Sequence, residues 1–354
     1  MSEILRLLRL EPSVQSRDYV QNKGQFHLFT LLTEQRHPGT WNLSFAMQSD
    51  TRAGLRMLLS VDQDISLALS ALSRDVSALE QAAAAVVEAV ESGRRVYFYG
   101  CGATGRLAKQ MESTFWRPFW RKVKAHDCWR RLRSTLRGDI EEVVIGEMTG
   151  ADRALVSSLE GFEDLQLIGR LQLQDHGVQP GHVVICVTEG GETSSVIGTI
   201  LAAAAQYGGL GADRAAEVRR RLYFVYNNPD EVLRPFERSA AVLDHPAITR
   251  INLTTGPQAI TGSTRMQATT IETFVLGAVL EEAVARLLRP RLAAAELRDL
   301  GLSGRIGLQE RLSSFDSVKA AVDESLDDLA RFTEAERDVY GLGRFTTYFA
   351  DTGL

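Results

Sequence analysis

The chain has 354 residues, 44% of them hydrophobic and 24% charged, and 40 basic against 45 acidic side chains give a formal charge of -5. A chain of this kind buries a sizeable core and has room for two or three domains, which disfavours disorder. No apolar run approaches the ~20 residues of a bilayer span, and the weakly acidic balance argues against a general nucleic-acid binder.

In chain order, residues 1–60 form an N-terminal arm. Its first segment, MSEILRLLRLEPS, has an apolar patch broken by Glu3, Arg6 and Arg9 and no small-residue cleavage site, so it reads as a short amphipathic helix stopped near Pro12 and not as a signal peptide. A turn-rich knot follows at His37-Pro38-Gly39-Thr40. Over residues 61–92, Leu67, Leu72, Val76, Leu79, Ala83, Val86, Val87 and Val90 recur at 3-4 spacing, which predicts one long amphipathic helix ending at Gly93.

From there short apolar runs alternate with helical patterns. The runs are Val96–Cys101, Val143–Ile145, Val183–Val187, Leu222–Tyr226 and Ile251–Leu253; the helical patterns include Gly105–Phe119, Ala151–Glu160 and Ser194–Ala205. Continuous apolar strands between helices predict an α/β fold with a five-stranded parallel sheet covered on both faces. A buried helix is expected over Thr269–Leu288, before Arg289-Pro290, and a charged helical segment over 291–339. The closing run, RFTTYFADTGL, reads as a strand that simply stops, as if a second lobe were missing.

The stretch Arg117–Arg137 interleaves 8 basic residues with tryptophans, Trp116 just ahead of it and Trp120 and Trp129 within it. An amphipathic helix with snorkelling arginines explains this pattern without nucleic acid. The 3 cysteines, Cys101, Cys128 and Cys186, are too few and scattered for a disulfide framework or a CxxC metal site, and they fit a reducing, cytoplasmic compartment. Nothing in the sequence asks for a metal or a cofactor.

In a parallel α/β sheet, ligands bind beyond the C-terminal strand ends, where helix N-termini favour anions. The first exit is Gly100-Cys101-Gly102-Ala103-Thr104-Gly105-Arg106, which does not meet the dinucleotide pattern because position 107 is Leu. The third is Thr188-Glu189-Gly190-Gly191-Glu192-Thr193-Ser194-Ser195, the fourth Asn227-Asn228-Pro229, and the fifth Thr254-Thr255-Gly256-Pro257-Gln258 followed by Thr261-Gly262-Ser263-Thr264-Arg265. Taken singly, a glycine followed by a hydroxyl is also an ordinary N-cap. Four such exits together describe a pocket for a phosphate and a polyhydroxylated body, and no P-loop lysine accompanies them.

The segments TEQRHPGTWNLS (Thr33–Ser44), GCGATGRLA (Gly100–Ala108), LEGFEDL (Leu159–Leu165), Asn228-Pro229 and TGPQAITGSTRMQATT (Thr255–Thr270) resemble the sugar isomerase (SIS) family. Within it they resemble the branch shared by the N-acetylmuramic acid 6-phosphate etherases and the glucokinase regulatory protein, over residues 30–290 or so. The resemblance implies a three-layer α/β/α SIS domain over 61–290, flanked by the 1–60 arm and a helical 291–354 segment. It implies a sugar-phosphate ligand held by Gly102, Thr104, Gly105, Thr193, Ser194, Asn228, Ser263 and Thr264, and a homodimer or a two-SIS assembly.

Etherases of this branch use two acid/base glutamates, since elimination needs both proton removal and leaving-group protonation. Glu163 falls on the second, whereas the position of the first holds Thr114. Glu112 lies about 200° of helical rotation away from position 114 and would need a break in the helix to replace it. Glu189 is the better replacement candidate, or else a solvated loop acid beside a helix dipole. Two further departures are Gln258 for the usual Glu and Gln267 for the usual Lys. The resemblance thus leaves two readings, a protein that binds a phosphosugar, an amino-sugar phosphate, and an active carbon–oxygen lyase or aldose–ketose isomerase using Glu163 with Glu189.

Overall fold

The computed structural model of the chain describes residues 3–24, 27–157, 159, 161–208, 212–263, 265–302 and 306–349. Five parallel strands, β1 (Val96–Gly100), β2 (Val144–Met148), β3 (Val183–Thr188), β4 (Leu222–Tyr226) and β5 (Thr249–Asn252), form one sheet in the order β2-β1-β3-β4-β5. The fold is α/β, with a three-layer core and helical segments at both ends of the chain. Every residue of β1, β3 and β4 is buried, as strands covered on both faces must be. Alternation then splits the strands between two apolar layers. Phe98, Ile185 and Val187 join the helices Ser77–Glu91 and Gln267–Leu288 on one face, and Tyr97, Tyr99, Val184 and Cys186 join Ser194–Gln206 on the other.

The long helix expected over 61–92 is two helices, Gln63–Leu72 and Ser77–Glu91. The polar run Ser73-Arg74-Asp75 interrupts the pattern, and the Asp75 carboxylate accepts from the Ser77 N–H at 3.0 Å at the new N-terminus. The end falls at Gly93 as expected: its φ is +66°, and the Arg94 N–H returns to the Ala89 carbonyl at 2.7 Å.

The helix after β1 departs from its predicted course in one detail. Ala103–Gln110 and Arg117–Ala125 are joined by a π-helical turn, Met111–Trp116. Trp116 and Trp120 are fully buried. The basic residues around them meet acids, with Arg117 on Glu142, Arg121 on Glu141, and Lys124 on Asp139 and Glu141, all at 2.7–3.0 Å.

Toward the C-terminus, the helix Leu326–Gly341 packs Leu326 and Ala330 on Leu55 of the Thr51–Ser60 helix. Residues 344–349 form no strand, contrary to the reading of RFTTYFADTGL. Phe345 and Phe349 stand in solvent, and the remaining letters of that run lie outside the described residues. No helix of the described residues is long and apolar enough to cross a membrane.

Candidate functional site

The chain runs from β1 out to the edge strand β2 and returns to β3 on the other side of β1, so the loops leaving β1 and β3 diverge and leave a crevice between them. A cavity of about 460 Å³ lies there. Cys101, Gly102 and Ala103 line it from the β1 exit, and Glu189, Gly190, Glu192, Thr193 and Ser194 from the β3 exit. Gly102 has φ +56°, a conformation that suits glycine and lets the loop turn directly into the Ala103–Gln110 helix. Glu163 and Asp164 add a third side, and Leu28, Leu31 and Glu34 of the N-terminal arm a fourth.

The arm is held in place by Asn228, which is fully buried. Its Oδ1 accepts from the Leu32 N–H at 2.7 Å, and its Nδ2 donates to the Thr33 hydroxyl at 3.0 Å and to the Gly190 carbonyl at 2.9 Å. One side chain therefore ties the arm to the β3 exit. Further along, the Thr40 hydroxyl donates to the Ala259 carbonyl at 2.7 Å. Gln258 and Gln267 are both buried and close the loop onto the Gln267–Leu288 helix. Gln267 Oε1 accepts from the Ala259 N–H at 2.9 Å, and Gln258 Oε1 from the Ala268 N–H at 3.0 Å. Two neutral amides here spare the site the desolvation that a buried Glu and Lys would carry.

Thr104 is buried under the first loop; its hydroxyl accepts from the Cys101 N–H at 3.0 Å and donates to the Cys101 carbonyl at 2.9 Å. Gly105 is a packing position, because a Cβ there would stand 2.4 Å from Cβ of Met148. Thr193 and Ser194 line the cavity; the Thr193 hydroxyl shares a 2.9 Å hydrogen bond with Thr188, and the Ser194 hydroxyl accepts from Arg238. Ser263 is half-buried and does not line the cavity, and Thr264 lies outside the described residues.

The two carboxylates singled out in the sequence both face the cavity. Glu163 is exposed, its backbone carbonyl accepts from the Ser195 N–H at 2.9 Å, and the Cys101 Sγ lies 3.9 Å from its Oε2. Burial raises the Cys101 thiol above its ordinary range, and the Glu163 carboxylate adds to this. Glu189 is 7% exposed, and its Oε1 accepts from the Thr269 hydroxyl at 3.0 Å. Burial pushes its pKa up to about 7, against the pull of its own backbone N–H, of Thr269 and of Arg265. Behind it Glu272 is fully buried on the same helix as Thr269 and accepts from Asn227 Nδ2 at 2.7 Å, and burial and the neighbouring Glu189 raise its pKa well above the ordinary carboxylate range.

Thr114 and Glu112 lie elsewhere. Thr114 is exposed and does not line the cavity. Glu112 is buried, accepts from the Gly146 N–H of edge strand β2 at 2.7 Å and pairs with Arg117 at 2.8 Å. The π-helical turn does not swing it toward the site.

Sequence reasoning missed three contributors. Glu192 reads as part of a glycine-rich cap, yet it receives Arg238 Nε and Nη2 at 3.1 and 2.7 Å and the Ser239 N–H at 3.1 Å. Arg265, inside the GSTR run, lines the cavity with no ion-pair partner within bonding distance among the described residues. Glu34 sits inside the TEQRHPG segment, where its charge gave no signal of its own. Among the described residues, no three His, Cys, Asp or Glu side chains are placed to hold a metal ion.

No family model matches the chain. Curated relatives do. The N-acetylmuramic acid 6-phosphate etherase of Pectobacterium atrosepticum is 25% identical over 314 residues, covering 87% of this chain and 88% of the relative. That of Actinobacillus pleuropneumoniae is 25% identical over 249 residues, with 70% and 67% covered, and that of Yersinia pestis 28% over 260 residues, with 73% and 72% covered. Over most of its length the chain is thus similar to N-acetylmuramic acid 6-phosphate etherases, and the likeness spans the five-stranded parallel sheet and the loops that line the cavity.

Proposed function

We propose that this protein binds a sugar phosphate in the crevice between the β1 and β3 exits and does not run the etherase reaction of its relatives. The observation that carries the reading is the cavity itself: 460 Å³ at the switch point, within the range of small-ligand sites and flanked by two helix N-termini and Arg265. Gly102, Ala103, Thr193, Ser194 and Arg265 then take the phosphate side, while Thr104, Gly105, Asn228 and Ser263 shape the loops around it. Thr264 is proposed with them on the strength of the motif alone. Residues 1–60 act as an arm that completes the wall, 61–290 as the sugar isomerase domain and 291–354 as a helical appendage.

The etherase reaction is disfavoured because position 114 offers a hydroxyl that faces solvent, and Glu112 is committed to β2. One observation favours a second reading, an active lyase or aldose–ketose isomerase. Glu189, titrating near 7, suits an acid/base role opposite Glu163. Incubation with N-acetylmuramic acid 6-phosphate separates the two: no lactate is expected, and lactate released by the wild type but not by Glu163→Ala would establish the lyase. We also propose a cytoplasmic homodimer; a monomeric mass by light scattering at micromolar concentration would contradict the dimer.

A further inference from the structure

Two cations line the cavity among the described residues, Arg265 and Arg238, and the second is built into the wall. Arg238 comes from the short helix Glu237–Leu243, and its side chain is 36% exposed. Its Nε and Nη2 donate to Oε2 of Glu192 at 3.1 and 2.7 Å, and its Nη1 donates to the Ser194 hydroxyl. The other oxygen of Glu192 accepts from the Ser239 N–H at 3.1 Å and from the Ser239 hydroxyl, and Ser239 is fully buried. The guanidinium is therefore held in one orientation by a buried carboxylate that is itself fixed. Three of its five N–H groups are used in this way, and the other two meet no acceptor among the described residues. The Ser194 hydroxyl, an acceptor toward Arg238, keeps its own hydrogen for a further acceptor. Holding the buried Glu192 accounts for one edge of the guanidinium. The remaining donors stand at the cavity.

A phosphate monoester carries about two negative charges at pH 7, and Arg265 alone sets one positive charge against it in a cavity that Glu34, Glu163, Asp164 and Glu189 also line. A second cation bonded to Ser194 stands where the phosphate is placed. Its planar fork suits two phosphate oxygens at once, which an ammonium group does not. We propose that Arg238 is a second cationic contact for the phosphate and that Glu192 is its positioning residue. This inference rests on the phosphosugar reading above and adds to it a residue that lies outside the strand-exit motifs.

Calorimetric titration of the full chain at pH 7 with glucose 6-phosphate tests it, with inorganic phosphate as a competing probe. Arg238→Ala strands Glu192, so the informative variants are the double Glu192→Gln/Arg238→Gln, which removes both charges together, and Arg238→Lys, which keeps the charge and loses the fork. The double variant is expected to bind glucose 6-phosphate about tenfold or more weakly than the wild type, at a urea midpoint close to the wild type's. Inorganic phosphate is expected to lose the same factor, which a change in the shape of the wall alone would not produce. Arg238→Lys is expected to lose several-fold, and it decides alone where the double variant does not fold. Wild-type affinity in a folded variant, or a loss for glucose 6-phosphate with none for phosphate, overturns the inference and leaves the phosphosugar reading standing. A wild type that binds neither probe sinks the phosphosugar reading and the inference with it.

Discussion

Glu112 and Glu189 are both buried carboxylates, 8% and 7% exposed, and they have opposite fates. Glu112 lies on a helix that packs so closely on β2 that a Cβ at Gly146 would stand 2.0 Å from the Ala108 carbonyl oxygen, and there it serves an edge-strand amide and Arg117. Glu189 leaves the end of β3, where the chain turns away from the sheet and the next element starts across a gap. Its one side-chain donor is the Thr269 hydroxyl, and burial outweighs the pull of that hydroxyl, of its own backbone N–H and of Arg265. A carboxylate with its full set of partners holds the fold together. One left short of partners beside a cavity is available to a ligand.

The contrast predicts different responses to substitution. The largest belongs to the cavity's own framework. Arg238→Ala strands the buried Glu192 carboxylate and is expected to cost about 3 kcal/mol, read from the urea midpoint. Glu112→Ala leaves the Gly146 N–H without its acceptor and is expected to cost about 1–3 kcal/mol, with sugar-phosphate affinity retained. A loss of affinity there would break the comparison by giving Glu112 a role at the site.

Glu189→Gln has the smallest effect on the fold, and its effect depends on pH. The folded-state pKa of Glu189, about 7, lies above the ordinary carboxylate value, so the folded chain holds more protons than the unfolded one between the two. Stability from this group is therefore present at low pH and is lost as pH rises toward 7. Melting temperatures at pH 5 and pH 8 should fall further apart in the wild type than in Glu189→Gln. Equal shifts would mean that Glu189 is an ordinary solvated acid.

Much of this was legible in the letters, for a physical reason. Strands buried on both faces admit little but apolar residues, so Val96–Gly100, Val183–Thr188 and Leu222–Tyr226 stand out wherever they occur. The break at Ser73–Val76 was hidden because serine, arginine and aspartate are all tolerated on an exposed helix face, and only the Asp75 cap separates the two helices. At the site, residue type pointed to the right loops, and partner geometry stayed invisible. Asn228 reads as a ligand-facing amide, and it spends its hydrogen bonds on Leu32, Thr33 and Gly190. Glu192 and Arg238 are far apart in sequence, and nothing local marks them as a pair.

The central claim is that the crevice between the β1 and β3 exits receives a sugar phosphate, with Arg265 as its cationic contact. Calorimetric titration of the full chain with a hexose 6-phosphate tests this most directly, with Arg265→Ala titrated alongside. The account predicts saturable one-site binding in the wild type and a loss of about tenfold or more in Arg265→Ala, as expected when a charged partner is removed. A folded chain that binds no hexose 6-phosphate, or a variant that binds as tightly as the wild type, would contradict it.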